Sequence, residues 1–183
     1  MINDNKNTIW FVGSLLVLAA ISRVLPHPAN VTPVAAMALF GGAYLKNKRW
    51  ALLLPLACML FSDFLLQIMY WAGLRAYTGF SDIMPFVYGS LLLTALLGST
   101  LQKRLTPLPI LASSMAASVI FFLITNFGVW LSWMPHTFDG FVQCYTQAIP
   151  FFRASALGDL VYTGAFFGIA QVVRSQFPKW NWA

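Results

Sequence analysis

Glutamate is absent from this chain. All five acidic residues are aspartates, and residues charged with either sign fill only 9% of the 183 positions. Soluble domains average about 25% charged residues. A water-facing surface cannot be assembled from so few, which excludes an ordinary soluble globule. A disordered tail needs low hydrophobicity and high net charge, so it is excluded too. Cysteine is equally scarce. Cys58 lies in an apolar run, far from Cys144, so neither a disulfide framework nor a thiolate metal spacing is present. No Gly-rich Lys/Ser phosphate loop occurs, so any nucleotide-derived energy must come from another subunit. The net charge of +6 does not indicate a nucleic-acid partner, because the eleven basic residues fall in short groups between apolar runs.

What is abundant is hydrophobic: 59% of the residues are apolar and 16% aromatic. Six apolar runs predict an all-α, polytopic membrane protein, a single domain over residues 1–183 with helices at about 9–25, 33–45, 50–73, 85–101, 108–133 and 154–173. A membrane-spanning helix needs about 20 residues, so the second is short. Thr32 is expected to cap it, with Pro33 in its first turn. The first run is followed by Pro26-His27-Pro28 rather than a small-residue cleavage site, so it reads as a retained helix. Residues 134–153 read as an outer aromatic linker with room for a short surface helix.

The basic residues orient these spans. With both termini cytoplasmic, Lys6, Lys46, Lys48, Arg49, Lys103, Arg104, Arg174 and Lys179 fall inside. Arg75 falls outside, and Arg23 and Arg153 sit at outer helix ends. That bias is the positive-inside pattern of a multi-pass membrane protein. Trp10, Trp50, Trp180 and Trp182 then mark the inner interface, as aromatic belts do.

The remaining polar residues collect in the outer half. Asp63 and Gln67 share a face of the third run, and Asn126 with Thr125 comes late in the fifth. Arg153 opens the sixth, and Asp159 shares a face with Tyr162. Arg23 ends the first helix. His27 and Asn30 lie in the first outer loop, and His136, Asp139, Cys144 and Tyr145 lie in the third. An ionisable group in a bilayer costs upward of ~2.5 kcal/mol and therefore faces a partner or a wet cavity. The clustering predicts an outward-facing polar cavity walled by helices one, three, five and six and ringed by aromatics that include Trp130, Phe151 and Phe152. The candidate ligand-binding set is Arg23, His27, Asn30, Asp63, Gln67, Asn126, Trp130, Tyr145, Arg153, Asp159 and Tyr162. The competing reading makes Asp63, Asp159, Arg23 and Arg153 interhelical ion pairs that only fix packing. Small residues (Ala35, Ala36, Ala38, Gly41, Gly42 and Ala43; Ala112, Ser113, Ala116 and Ala117) permit close helix approach, within the chain or against a partner subunit.

Pro26-His27-Pro28-Ala29-Asn30-Val31-Thr32-Pro33, Ala38-Leu39-Phe40-Gly41-Gly42, Ser62-Asp63, Thr125-Asn126-Phe127-Gly128-Val129-Trp130, Ala148-Ile149-Pro150-Phe151-Phe152-Arg153 and Gly158-Asp159-Leu160-Val161-Tyr162 form a recognisable set. It resembles an uncharacterised bacterial integral-membrane family, which in turn is similar to the substrate-binding (S) components of energy-coupling-factor (ECF) vitamin transporters. The resemblance implies a six-helix protein that captures a small nutrient from the outer side. It also implies a transmembrane coupling subunit with ATPases as partner, or solitary action. A solitary relative binds cobalamin and uses a cysteine near the cobalt. Cys144, His27 or His136 offers an axial ligand, but their positions do not reproduce that pattern.

The leading expectation is therefore a non-enzymatic membrane protein that binds a small nutrient or vitamin-like molecule for uptake. It has no cofactor and no metal, and its partners are the ligand, the bilayer and a coupling complex. The alternative is a non-catalytic accessory or scaffold subunit of a larger membrane complex. An intramembrane enzyme would need a nucleophile or metal ligands at defined spacing. His27, His136, Asp63 and Asp139 offer no HExxH-like spacing.

Overall fold

A computed structural model describes residues 6–26, 28 and 30–178. His27, Lys179, Trp180 and Trp182 lie outside the described residues, so the site and interface readings for them have no structural counterpart. Among the described residues there are six α-helices and no strand: α1 (Lys6–Ser22), α2 (Val34–Tyr44), α3 (Lys48–Trp71), α4 (Met84–Thr100), α5 (Pro107–Trp133) and α6 (Phe138–Gln176). A 3₁₀ turn, Leu101–Lys103, follows α4. Four of the helices, α3 to α6, are long and apolar enough to cross a membrane, α4 together with its 3₁₀ extension. They expose large apolar side chains such as Leu53, Phe61, Phe64, Leu93 and Leu123. Lipid is the solvent that suits such a surface.

The exception to outward-facing apolar surface is α2. All eleven of its residues are buried. At about 1.5 Å per residue it is roughly 16 Å long, half a bilayer core. It runs through the middle of the bundle against every other helix. Its small residues let the neighbours close in. A Cβ on Gly42 would lie 2.0 Å from the Ala95 carbonyl oxygen, and one on Gly98 would lie 2.2 Å from that of Leu39. The backbones of α2 and α4 touch there, and only glycine fits on either side. The small residues of α2 therefore pack inside the chain and present no face to a partner subunit. Beside them Phe40, Tyr44, Phe166 and Phe167 stack at 4.7–5.6 Å between centroids.

A short helix that ends inside a membrane protein leaves backbone groups to satisfy. Long-range side chains do this for α2. Gln102 donates from Nε2 to the Gly42 and Leu45 carbonyls, at 3.0 and 2.8 Å. At the other end Asp159 of α6 accepts from the Ala36 amide. Thr32 does not cap α2. The N-cap position belongs to Pro33, which makes no side-chain cap bond, so the expected local cap is replaced by a distant carboxylate.

The expected linker over 134–153 is also corrected. Only residues 134–137 connect α5 to α6, and the helix runs unbroken from Phe138 through Pro150. Thr137 caps its start by accepting from the Gly140 amide at 3.1 Å, and Asp139 lies in the first turn, where a negative charge suits the helix dipole. Pro150 removes a single ladder bond. The extra turns pack along α5: the Tyr145 hydroxyl donates to the Leu123 carbonyl at 2.7 Å, and its ring meets Phe122. The resulting 39-residue helix is roughly 58 Å long, about twice a bilayer core.

The bundle thus has two dissimilar ends. One carries Lys46, Lys48, Arg49, Lys103, Arg104 and Arg174, near the α2–α3 and α4–α5 connections and the close of α6. We call it the basic end. The aromatic end carries the other connections, where Trp133 of α5 donates to Asp82 of the α3–α4 loop at 3.3 Å.

Candidate functional site

Among the described residues two carboxylates are buried, and they have different surroundings. Asp63 of α3 is 1% exposed. Its Oδ1 lies 2.8 Å from Nη1 of Arg23, just past α1, and its Oδ2 accepts from the Tyr88 hydroxyl of α4 at 2.7 Å. The same guanidinium nitrogen contacts Met59 Sδ at 3.0 Å and donates to Ser62 Oγ. Arg23 and Asp63 thus form an ion pair that ties α1, α3 and α4 together. One turn on, Gln67 accepts from the Gly79 amide at 3.0 Å and holds the α3–α4 loop against α3.

Asp159, in the middle of α6 and 6% exposed, has neutral partners. Ser118 of α5 donates from Oγ to its Oδ2 at 2.7 Å, and the Ala36 amide donates from α2. Ser118 Oγ also lies 3.1 Å from the Ser114 carbonyl. A hydroxyl has one proton, and a carboxylate at the shorter distance is the stronger acceptor. Below this, Ser114 and Thr163 share a hydrogen bond of 3.1 Å between the same two helices. Among the described residues the only ion pair is that of Arg23 with Asp63, so Asp159 is held by amide and hydroxyl dipoles alone.

A cavity of about 340 Å³ lies between α4, α5 and α6 under the first loop. Its aromatic wall is Phe121, Phe122, Phe151 and Phe152, and its polar groups come from Asn30, Ser118, Thr125, Asn126 and Ser155. A recess of about 20 Å³, the scale of one water site, shares Asn30, Phe121 and Ser155 with that lining and reaches Asp159. Local structure explains the placement. Ser155 and Asp159 are one turn apart on α6, and Ser118 and Thr125 are two turns apart on α5. Asn30 adopts φ = 61°, a left-handed conformation that asparagine tolerates better than most residues. Thr125 donates to the Phe121 carbonyl at 2.7 Å and Asn126 to that of Phe122 at 2.8 Å. The Thr125 proton is thus engaged, while the Asn126 amide keeps a second N–H and its oxygen. With the Asp159 carboxylate in the adjoining recess, the site offers acceptors together with amide and hydroxyl donors from Asn30, Asn126 and Ser155.

The residues expected to bind ligand thus fall into separate places. Asn30, Asn126 and Asp159 meet around the cavity. Arg23 and Asp63 are engaged with each other, and Gln67 with the loop. Trp130 lies in an aromatic cluster at the end of α5, donating to the Pro135 carbonyl at 3.1 Å and facing Phe127, His136 and Phe141. Tyr145 joins that cluster through Phe141. Arg153 is exposed, two residues from Ser155 and so on nearly the opposite side of α6. Tyr162 packs on Phe166 in the core. The wall is formed by helices four, five and six rather than one, three, five and six. Ser118 and Ser155 were missed. Their spacing to Thr125 and Asp159 along one face each was the available signal, but serine in an apolar helix usually bonds back to its own backbone and draws no notice.

Among the described residues no three of His, Cys, Asp and Glu converge. His136 Nε2 lies 2.9 Å from the Leu131 carbonyl, and Cys144 Sγ lies 3.4 Å from that of Asn126. No curated protein and no solved structure shows significant similarity to the chain. Residues 3–180 match the model of DUF6580, a family of unknown function, and the chain belongs to that family.

Proposed function

We propose that this protein is a membrane-embedded binding component. On this reading it takes up a small nutrient or vitamin-like molecule from the outer side of the bacterial inner membrane, in the manner of the substrate-binding components of ECF transporters. The observation that carries the proposal is the cavity of about 340 Å³ with Asp159 beneath it. Its volume is that of a small-ligand site, and its composition, aromatic walls with a few convergent polar groups, is what such sites use. Because the walls are aromatic and the adjoining recess ends on a carboxylate, the ligand is a flat, largely apolar molecule bearing N–H or O–H donors. One donor points toward Asp159. The cavity lies at the aromatic end, and the gathering of basic residues at the opposite end supports reading this one as the outer side. Binding rather than catalysis is the activity, and a coupling subunit with ATPases supplies the energy where transport is active.

Native mass spectrometry of the protein extracted from its own membrane tests this reading. A co-purifying small molecule is expected in the wild type. Its loss is expected in Asp159→Asn and in Asn126→Leu, with the melting temperature retained. A wild type that carries no small molecule, or variants that retain it in full, overturns the assignment of this cavity.

A further inference from the structure

The second large cavity lies at the basic end, remote from the first. It has about 390 Å³ and lies between the start of α5, the second half of α6 and the end of α2. Leu105, Ile110, Leu111 and Phe167 make it apolar, while Tyr44 and Gln171 add polar groups toward its basic-end mouth. Gly164 and Gly168 form its floor along α6, and a Cβ at either would meet nothing within 4 Å. The groove is therefore open along about one turn of helix.

Cations flank that mouth. Arg104 directly precedes the lining residue Leu105. Arg174 follows Phe167 by seven residues, two turns along the same face, and its charge is felt at Tyr44 in the lining. Among the described residues neither guanidinium has a hydrogen bond or ion pair to another side chain. The nearest described carboxylate along α6 is Asp159, fifteen residues and roughly 22 Å from Arg174. From Gly164 to Arg174 is about 15 Å of helix, half of a ~30 Å bilayer core, or one leaflet.

We propose that this groove holds an anionic phospholipid, with one acyl chain along Gly164 and Gly168 and the phosphate between Arg104 and Arg174. The gradient from apolar floor to guanidiniums that have no side-chain partner among the described residues matches the gradient of such a lipid. Arginine suits a phosphate because its planar fork donates to two oxygens at once. Basic pockets between transmembrane helices are also where anionic headgroups collect.

The test is native mass spectrometry of the delipidated full chain in detergent, titrated with phosphatidylglycerol or phosphatidylcholine of identical acyl chains. Phosphatidylglycerol is expected to bind at least tenfold more tightly. The double variant Arg104→Gln/Arg174→Gln should bring it down to the phosphatidylcholine level, and Arg104→Lys/Arg174→Lys should restore part of the difference. Gly164→Leu, which fills the floor and leaves both arginines in place, should weaken both lipids. Equal binding of the two lipids overturns the proposal. So does competition by inorganic phosphate at the same concentration as the lipid, which would make this a soluble-anion site. Wild-type binding in Gly164→Leu, or disulfide-linked dimers formed through Gly168→Cys in lipid-replete membranes, would also overturn it, the latter by showing the groove to be a protein interface.

Discussion

Asp63 and Asp159 are both buried carboxylates in membrane helices, yet they are built for different ends. Asp63 has a full countercharge: Arg23 on one oxygen and Tyr88 on the other. Three helices converge on it, and its two oxygens are engaged inside the protein. Asp159 has a hydroxyl, an amide and an adjoining cavity. Its charge is held only by dipoles, so lone pairs remain for something that enters from outside the chain. Burial of a charge alone therefore does not mark a binding site. What distinguishes the two is whether the protein itself completes the electrostatics.

The largest expected effect breaks the first of these arrangements. Arg23→Ala leaves Asp63 charged, buried and without its partner, and should cost about 3–5 kcal/mol of stability. Chemical unfolding in detergent would register this as a lowered midpoint. The double variant Arg23→Met/Asp63→Leu removes both charges and should recover most of the loss, because a buried ion pair contributes little net stability against an apolar replacement. If the double variant is as unstable as the single one, the pair does more than satisfy itself and the contrast with Asp159 weakens.

How far this contrast was legible in the sequence depends on the sequence distance between partners. The apolar runs and the alternating basic groups are local signals, and they place six helices with most boundaries within a few residues. The ion-pair alternative for Arg23 and Asp63 was also readable, since both are charged and both lie at the same depth. The cavity was not. Asp159 takes its donors from Ala36 and Ser118, which lie 123 and 41 residues away, and neither residue type advertises a role. The extension of α6 back to Phe138 was hidden for another reason. Pro150 and the aromatic, polar character of residues 138–153 resemble a loop, whereas the 27-residue α5 offers a track along which they fold as helix.

The second effect in size tests the other oxygen of Asp63. Tyr88→Phe removes one hydrogen bond to a buried charged group, an interaction of about 1.5–3 kcal/mol. The corresponding change on the other carboxylate is Ser118→Ala, expected to cost about 1 kcal/mol, because the adjoining recess has room for a water to replace the hydroxyl. Equal losses in these two variants, measured side by side by the same unfolding assay, would erase the distinction between a closed and an open carboxylate.

The smallest effect on stability belongs to Asp159→Asn. The amide oxygen can still accept from Ala36, and the amide nitrogen can donate to Ser118, so the capping of α2 survives. Removing an unpaired charge from the membrane interior offsets what is lost in acceptor strength, and the net change should be within about 1 kcal/mol of zero. The same substitution at position 63 behaves differently, since Asp63→Asn leaves Arg23 without its countercharge and should destabilise by several times as much. Binding should invert that order. Asp159→Asn should abolish retention of the co-purified molecule, while Asp63→Asn, once corrected for its folded fraction, should leave it intact. A ligand lost equally from both variants at equal folded fraction would place Asp63 within the site and return the wall of the cavity to helices one and three.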